Sequence, residues 1–240
     1  MEDVIAKGAK TLVVEDDVKA PSDVTVVKVK DTRYAMAFIS AAYFGHPAEK
    51  LKTIGITGTK GKTTTTYMVK SILENAGYKV GLIGTIEAII GDEVIPAANT
   101  TPESYVIQDY FHRMVEAGCD CVVMEVSSQG LMLHRTQGFV FDYGIFTNIE
   151  PDHIGPNEHR DFDHYLSCKS MLLRQCKVGI VNRDDEHFER PYLSAGNLWI
   201  FTRGRSSCRR CTYDRWKRIS WYLLPCKGAY GFSGGDRHSG

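Results

Sequence analysis

The sequence lacks a long apolar run, a secretion signal and net charge. No apolar stretch approaches the roughly 18 residues of a membrane-spanning helix. Residues 1–7 do not show the basic-then-apolar pattern of a signal peptide. Lysine plus arginine and aspartate plus glutamate both number 29, which argues against a general nucleic-acid binder. The seven cysteines are therefore interpreted as reduced thiols of a cytosolic protein.

The first 47 residues predict a partial N-terminal α/β domain. Residues 12–15 and 24–29 are strand-like, and Asp31 is placed to cap a helix over 32–44. Two short strands and one helix are a thin basis for an independent core, so this segment is expected to belong to a larger domain.

Residues 48–190 predict an α/β domain. Apolar runs at 53–57, 79–84, 121–126, 143–148 and 178–182 alternate with helical patterns. One predicted helix places Val69, Ile72, Leu73 and Ala76 on one face; others cover 102–117, with Thr101 as N-cap, and 163–175. This alternation predicts a mostly parallel sheet with helices on both faces.

Residues 191–240 differ from the rest of the chain. They contain no glutamate, hold all three tryptophans and show no regular period. We interpret this tail as disordered or read out of frame. Cys208 and Cys211 have a zinc-like spacing, but the irregular placement of Cys226 and His238 makes a zinc site there a weak hypothesis.

A glycine-rich loop between a predicted strand and helix indicates a polyphosphate site. Its residues are Gly58, Thr59, Lys60, Gly61, Lys62, Thr63 and Thr64. Backbone amides at a helix N-terminus bind anions, Lys62 is placed to contact the β- and γ-phosphates, and Thr63 to ligate Mg²⁺. Ile56 occupies the position where the strict P-loop pattern has its first glycine, so the loop is a variant.

Other polar groups follow predicted strands and are expected on the same rim of the sheet. Asn99, Thr100 and Thr101 precede a helix. Glu125 and Ser127 close one strand, and His153 follows another. Taken singly, each has a plainer reading as a solvated strand end, a helix cap or a loop histidine. Lys169 lies on or beside an apolar helix face, which is typical of either an extended surface lysine or a lysine of lowered pKa near a cleft.

The ordered motifs resemble those of the Mur ligases, ATP-dependent enzymes of cell-wall peptide synthesis. The resemblance spans about residues 1–190, most closely to the members that add the third amino acid. It is carried by residues 57–66, 99–101, 124–131, 134–135, 146–148, 152–153 and 168–169.

The resemblance implies residue roles. Residues 58–64 would bind ATP, and the catalytic residues would be Lys62, Glu125, His153 and Lys169. Thr63 and Glu125 would hold one Mg²⁺, and His153 with Lys169, as a carbamate, a second. The UDP-sugar dipeptide would be bound by Asn99, Thr100, Thr101, Ser127 and Arg135.

The implied reaction joins lysine or meso-diaminopimelate to UDP-N-acetylmuramoyl-L-Ala-D-Glu through an acyl phosphate, with no nucleic-acid or membrane partner. Lys60 and Leu133 depart from the residues usual in the family. No segment resembles the family's third domain, so the expectation is a chain that binds ligands without turnover. The alternatives are a binding-only fragment, a folylpolyglutamate-synthase-like ligase and an unrelated P-loop NTPase.

Overall fold

A computed structural model describes residues 1–156 and 158–187, together with the backbone of 197–201, 209–212 and 220–223. Six α-helices are described: α1 (Glu2–Ala6), α2 (Thr32–Tyr43), α3 (Lys62–Asn75), α4 (Ser104–Glu116), α5 (Ser128–Met132) and α6 (Phe162–Arg174). The strands are β1 (Thr11–Val14), β2 (Thr25–Lys28), β3 (Lys52–Thr57), β4 (Val80–Ile83), β5 (Glu87–Ile90), β6 (Glu93–Pro96), β7 (Cys121–Glu125), β8 (Phe141–Phe146), β9 (Cys176–Asn182), β10 (Asn197–Phe201), β11 (Arg209–Thr212) and β12 (Ser220–Leu223).

The main sheet is mostly parallel, which confirms the predicted fold class. Its strand order is β12-β11-β10-β9-β8-β3-β7-β4-β5-β6. The six strands from β10 to β4 are parallel, and antiparallel strands extend both edges. The parallel register brings the carboxyl ends of β3, β7 and β8 to one rim, where ligands of such sheets bind.

Alternating residues of β7 face two different cores. Val122 and Met124 pack in a cluster with Phe111 and Met114 of α4. Cys121 and Val123 pack in another cluster, against which Val69 and Leu73 of α3 lie. Since successive strand residues point to opposite faces, α3 and α4 cover opposite sides of the sheet.

The N-terminal strands form a small sheet of their own. β1 and β2 pair in parallel, and α2 packs against α4. The Asp31 carboxylate accepts a hydrogen bond from the Tyr34 amide at 2.7 Å, as its predicted capping role requires. The domain limits at residues 47 and 190 stay predictions. Most of 191–240 lies outside the described residues, and the strands described there extend the main sheet.

Two local features differ from the pattern in the sequence. Thr101 is not the N-cap of α4: the helix begins at Ser104 after Glu103, because the Thr101 hydroxyl bonds the backbone around β7 instead. The sequence grouped Ile72 with Val69 and Leu73 on one apolar helix face, and of these Val69 and Leu73 pack against the sheet, whereas the Ile72 side chain is 65% exposed. Only part of the apolar periodicity of α3 is therefore used in packing.

In the part of the chain that the structure describes, no helix is long and apolar enough to cross a membrane.

Asp142 fastens β8 to β3. Its carboxylate accepts hydrogen bonds from the Thr53 amide at 3.0 Å and from Lys177 Nζ at 2.9 Å, while its own amide donates to Thr53 Oγ1 at 3.0 Å. Burial alone would raise the pKa of Asp142, but the bonds from Lys177 and Thr53 and the charges of Lys177 and Lys52 lower it overall.

Replacing Asp142 by alanine is expected to lower the free energy of unfolding by about 1–3 kcal/mol, because the buried Thr53 amide loses its acceptor. The carboxyl pKa is lower in the folded chain than in the unfolded one. Its contribution is therefore present above pH ~4 and is lost as the pH falls below that value. Urea unfolding at pH 7 and pH 3 measures this, with the exposed Asp92→Ala as control. An equal loss at both pH values would contradict the account.

Candidate nucleotide and substrate site

The phosphate loop joins β3 to α3. Gly61 has φ +77° and caps α3, which begins at Lys62, so the amides of the first helical turn point into the loop without intrahelical partners. Gly58 has φ +155°, and a Cβ there would lie 2.0 Å from Thr147 Oγ1. The loop therefore passes too close to the end of β8 for any side chain at position 58.

Residues after β8 support one side of the loop. Asn148 accepts hydrogen bonds from the Thr59 amide on its carbonyl and from the Lys60 amide on its side chain, at 3.0 and 2.9 Å. The Thr59 hydroxyl lies 3.2 Å from the Tyr165 hydroxyl and accepts from the Glu150 amide. Thr59 and Lys60 thus brace the loop, and the unpaired amides at the start of α3 remain for an anion.

The Lys60 side chain points away from the loop. Its Nζ pairs with Asp152 at 3.1 Å, and both groups are solvent-accessible. The pKa of Asp152 is lowered, first by the Lys60 hydrogen bond and then by the His153 amide. Because the Lys60 ammonium pairs with Asp152, it neither crowds the phosphate loop nor adds its charge to the phosphate-binding side.

Two lysines converge on one carbonyl oxygen of the loop. Lys62 Nζ donates to Gly58 O at 3.0 Å, and Lys169 Nζ donates to the same oxygen at 2.8 Å. Lys169 is 2% exposed and lies over the Tyr165 ring at 4.7 Å. Its full burial excludes the surface-lysine reading left open by the sequence.

Desolvation controls the protonation of both lysines. The pKa of Lys169 is lowered to about 7, mainly by burial and in addition by the positive charge of Lys62. Burial also lowers the pKa of Lys62, although the negative charge of Glu125 acts in the opposite direction. Lys169 is therefore the lysine more readily available as a neutral amine.

Glu125 offers oxygen ligands beside the first turn of α3. It is 1% exposed, and its carboxylate accepts hydrogen bonds from Thr63 Oγ1 at 3.1 Å and from the Thr85 amide and hydroxyl, both at 3.0 Å. These three donors carry no charge. A buried carboxylate that accepts hydrogen bonds from neutral hydroxyl and amide donors of the described residues fits the oxygen ligands that Mg²⁺ prefers.

A pocket of about 240 Å³ lies beside the loop. It brings together most residues that the sequence predicted for catalysis and substrate binding: Lys62, Asn99, Thr100, Thr101, Ser127, Arg135, His153 and Lys169. Thr63 and Glu125 lie next to it rather than on its lining. His153 has φ +53°, and its Nδ1 lies 3.2 Å from the Glu158 carboxylate.

Thr101 organises the substrate side of the pocket. Its hydroxyl donates to Glu125 O and accepts from the Ser127 amide, at 3.0 and 2.9 Å. Arg135 donates to Thr101 O at 3.0 Å and pairs with Glu103 at 2.8 Å. Among the described residues the buried Arg135 Nε has no hydrogen-bond partner, and the Arg135 side chain lines the pocket.

Sequence reasoning missed several groups at the site. Thr85 bonds Glu125, and Glu158 lines the pocket beside His153, but neither lies in a recognised motif. Ser128 and Gln129 also line the pocket and fall within the motif at 124–131. The contacts of Thr147 and Asn148 with the phosphate loop could have been predicted, because both residues belong to the motif at 146–148 at the end of β8.

Comparison with known proteins gives a consistent family. The family model described as "Mur ligase middle domain" matches residues 56–207 of this chain. A UDP-N-acetylmuramoyl-L-alanyl-D-glutamate--2,6-diaminopimelate ligase of Clostridium perfringens is 50% identical over 185 residues, covering 77% of this chain and 38% of the relative. The chain thus spans about two fifths of the length of that relative.

Solved structures show the same fold. A structure of a UDP-N-acetylmuramoyl-L-alanyl-D-glutamate--2,6-diaminopimelate ligase aligns with a TM-score of 0.70 at 18% identity, covering 93% of this chain and 49% of that one. Mycobacterium tuberculosis folylpolyglutamate synthase complexed with ADP aligns with a TM-score of 0.52 at 15% identity, covering 71% of this chain and 46% of the other. The shared fold alone does not separate muramyl peptide from folate as substrate.

Proposed function

Since the chain belongs to the Mur ligase middle-domain family, we propose that it is the ATP- and substrate-binding part of a peptidoglycan ligase. The reaction would join meso-diaminopimelate to UDP-N-acetylmuramoyl-L-Ala-D-Glu. The single observation that carries this proposal is the meeting of the phosphate loop with Thr101, Arg135 and Lys169 around one pocket. The 2,6-diaminopimelate named for the 50% identical relative favours that amino acid over lysine.

The loop would position the terminal phosphates of ATP. The unpaired amides at the start of α3 and the Lys62 ammonium are the donors available for this. Thr63 and Glu125 would hold Mg²⁺, whose charge would offset that of the phosphate as it moves to a carboxylate. The protein's contribution is positioning and charge neutralisation.

The opposite side of the pocket would position the acceptor carboxylate. Arg135 supplies positive charge, and Asn99, Thr100 and Ser127 supply polar groups. His153 and a carbamate on Lys169 would hold a second cation near the reacting groups. A carboxylate facing the end of the phosphate loop is the arrangement that acyl-phosphate formation requires.

Folate is the alternative substrate, because folylpolyglutamate synthase shares the fold. The diaminopimelate-ligase name of the 50% identical relative and the polar lining of the pocket favour the muramyl dipeptide. Equilibrium titration with UDP-N-acetylmuramoyl-L-Ala-D-Glu and with a folate tests the choice. Saturable binding of the dipeptide alone supports the proposal, and binding of folate alone overturns it.

Arg135→Ala is expected to lower the affinity for the UDP-muramyl dipeptide by about 10- to 100-fold, as loss of a charge-assisted hydrogen bond does. The matched control is Arg174→Ala, because Arg174 is exposed and lies outside this pocket. Calorimetric titration of both variants measures the effect. Equal affinities in parent and Arg135→Ala would remove Arg135 from the site.

A phosphate-release assay with ATP, Mg²⁺, the dipeptide and diaminopimelate distinguishes a complete ligase from a ligand-binding part. Turnover by the 240-residue chain would show that it contains everything the reaction needs. Binding of both ligands without phosphate release would assign the chain the binding role alone.

A further inference from the structure

A cluster of metal-ligating side chains contacts Ser128, one of the residues that line the pocket. One ring nitrogen each of His159 and His164 and the sulfur of Cys168 all lie within 4.8 Å of one another. His164 and Cys168 are four residues apart on α6 and share one helix face. His159 comes from the loop before α6, so the cluster bridges two segments of the chain.

The two histidines have unused ligand atoms. His159 is fully buried, and the Nδ1 atoms of both His159 and His164 are buried and find no hydrogen-bond partner in the described part of the chain. His159 Nε2 lies 2.8 Å from Ser128 Oγ. With its proton on Nε2, His159 donates to Ser128 and presents the lone pair of Nδ1, which is the form that binds a metal.

The donor set selects a type of metal. Two imidazole nitrogens and one thiolate are ligands that zinc and similar transition metals prefer, whereas Mg²⁺ prefers oxygen. The cluster therefore differs in chemistry from the Thr63 and Glu125 site. On binding, the metal would replace the proton of the Cys168 thiol, which passes to solvent.

We propose that His159, His164 and Cys168 form a zinc site that fastens the loop before α6 to that helix. A solvent water would complete the coordination. The site would also steady the pocket, because the His159 amide donates to His153 O at 2.9 Å and His153 lines that pocket. The expected role is structural, since it rigidifies the loop that carries His153 and Glu158.

Cobalt titration tests the site, because a cysteine thiolate bound to Co²⁺ gives a charge-transfer absorption band. The full chain is used with Cys208→Ala and Cys211→Ala, which removes the other cysteine pair with metal-like spacing. We expect one Co²⁺ per chain with a thiolate band, displaced by Zn²⁺. The band should be lost in Cys168→Ser, and the affinity should fall at least 10-fold in His164→Gln. Cys176→Ser and His112→Gln are matched controls that should retain it.

Two further measurements keep the outcome decisive. X-ray absorption of the zinc-loaded parent should show one sulfur at about 2.3 Å and nitrogen ligands at about 2.0 Å. Zinc should also raise the thermal unfolding midpoint of the parent but not of His164→Gln. If Cys168→Ser fails to fold, the Co²⁺ affinity of His164→Gln, whose substituted residue is only partly buried, and the X-ray absorption spectrum of the parent test the site instead. No thiolate band in the parent, an unchanged band in a folded Cys168→Ser, or an unchanged Co²⁺ affinity in a folded His164→Gln would overturn the proposal.

Discussion

Lys62→Ala is expected to lower the affinity for Mg·ATP by at least about 100-fold. Lys62 begins α3, and its ammonium folds back onto Gly58 O and Thr59 O at 3.0 and 3.3 Å. An entering phosphate can replace these two neutral acceptors with charged ones. Each charge-assisted hydrogen bond contributes roughly 1.5–3 kcal/mol, so losing the contacts to two phosphates predicts a change of this size.

Calorimetric titration with Mg²⁺ and a non-hydrolysable ATP analogue measures the effect of Lys62→Ala. Lys70→Ala is the matched control, because Lys70 lies on the same helix and pairs with Glu74 away from the loop. The control should bind like the parent. An unchanged affinity in a folded Lys62→Ala variant would remove the phosphate-binding role from this loop.

Lys169 is expected to carry a carbamate at pH 8 in the presence of bicarbonate. Its pKa of about 7, lowered by burial and then by Lys62, leaves most of the amine neutral at that pH. The neutral nitrogen attacks the carbon of CO₂ and releases a proton, which gives an anionic carbamate. The neutral amine is present above pH 7 and disappears as the pH falls below it, so the modification should be lost at pH 5.5, chosen roughly one and a half units below the pKa.

Carbon-13 NMR with labelled bicarbonate detects the carbamate directly. The parent should give one signal that Lys169→Met eliminates, whereas Lys28→Met should keep it, because Lys28 is an exposed lysine paired with Asp17. A signal that survives in Lys169→Met would place the carbamate elsewhere. The absence of any signal in the parent at pH 8 would remove the second cation ligand from the proposed function.

The phosphate loop was predictable from sequence because its causes are local. A buried strand, two glycines and a helix start within eleven residues fix the path of the chain, and the observed φ of +77° at Gly61 is the conformation that a glycine permits. The parallel order of β3, β7 and β8 then brings Glu125 to Thr63. Repeated strand–helix alternation is sufficient to predict that juxtaposition.

Tertiary contacts determine the features that could not be predicted from the sequence. Thr101 before Pro102 is typical of a helix start, but its hydroxyl is engaged by the backbone of β7 and α4 begins later. The helical spacing of Lys169, on or beside an apolar face, left both a surface lysine and a cleft lysine open, and its burial depends on Tyr165 and the loop carbonyl packed around it. The hairpin of β5 and β6 was missed, although Gly91, with φ +59°, marks its turn.

Amide chemical-shift mapping on the nitrogen-15-labelled chain tests most directly whether one rim site holds both ligands. Mg²⁺ with the ATP analogue should shift the amides of residues 58–64, and subsequent UDP-N-acetylmuramoyl-L-Ala-D-Glu should shift those of 99–101 and 127–129. These segments contain the loop and much of the pocket lining. Shifts confined to other parts of the chain, or no shift with either ligand, would contradict the account.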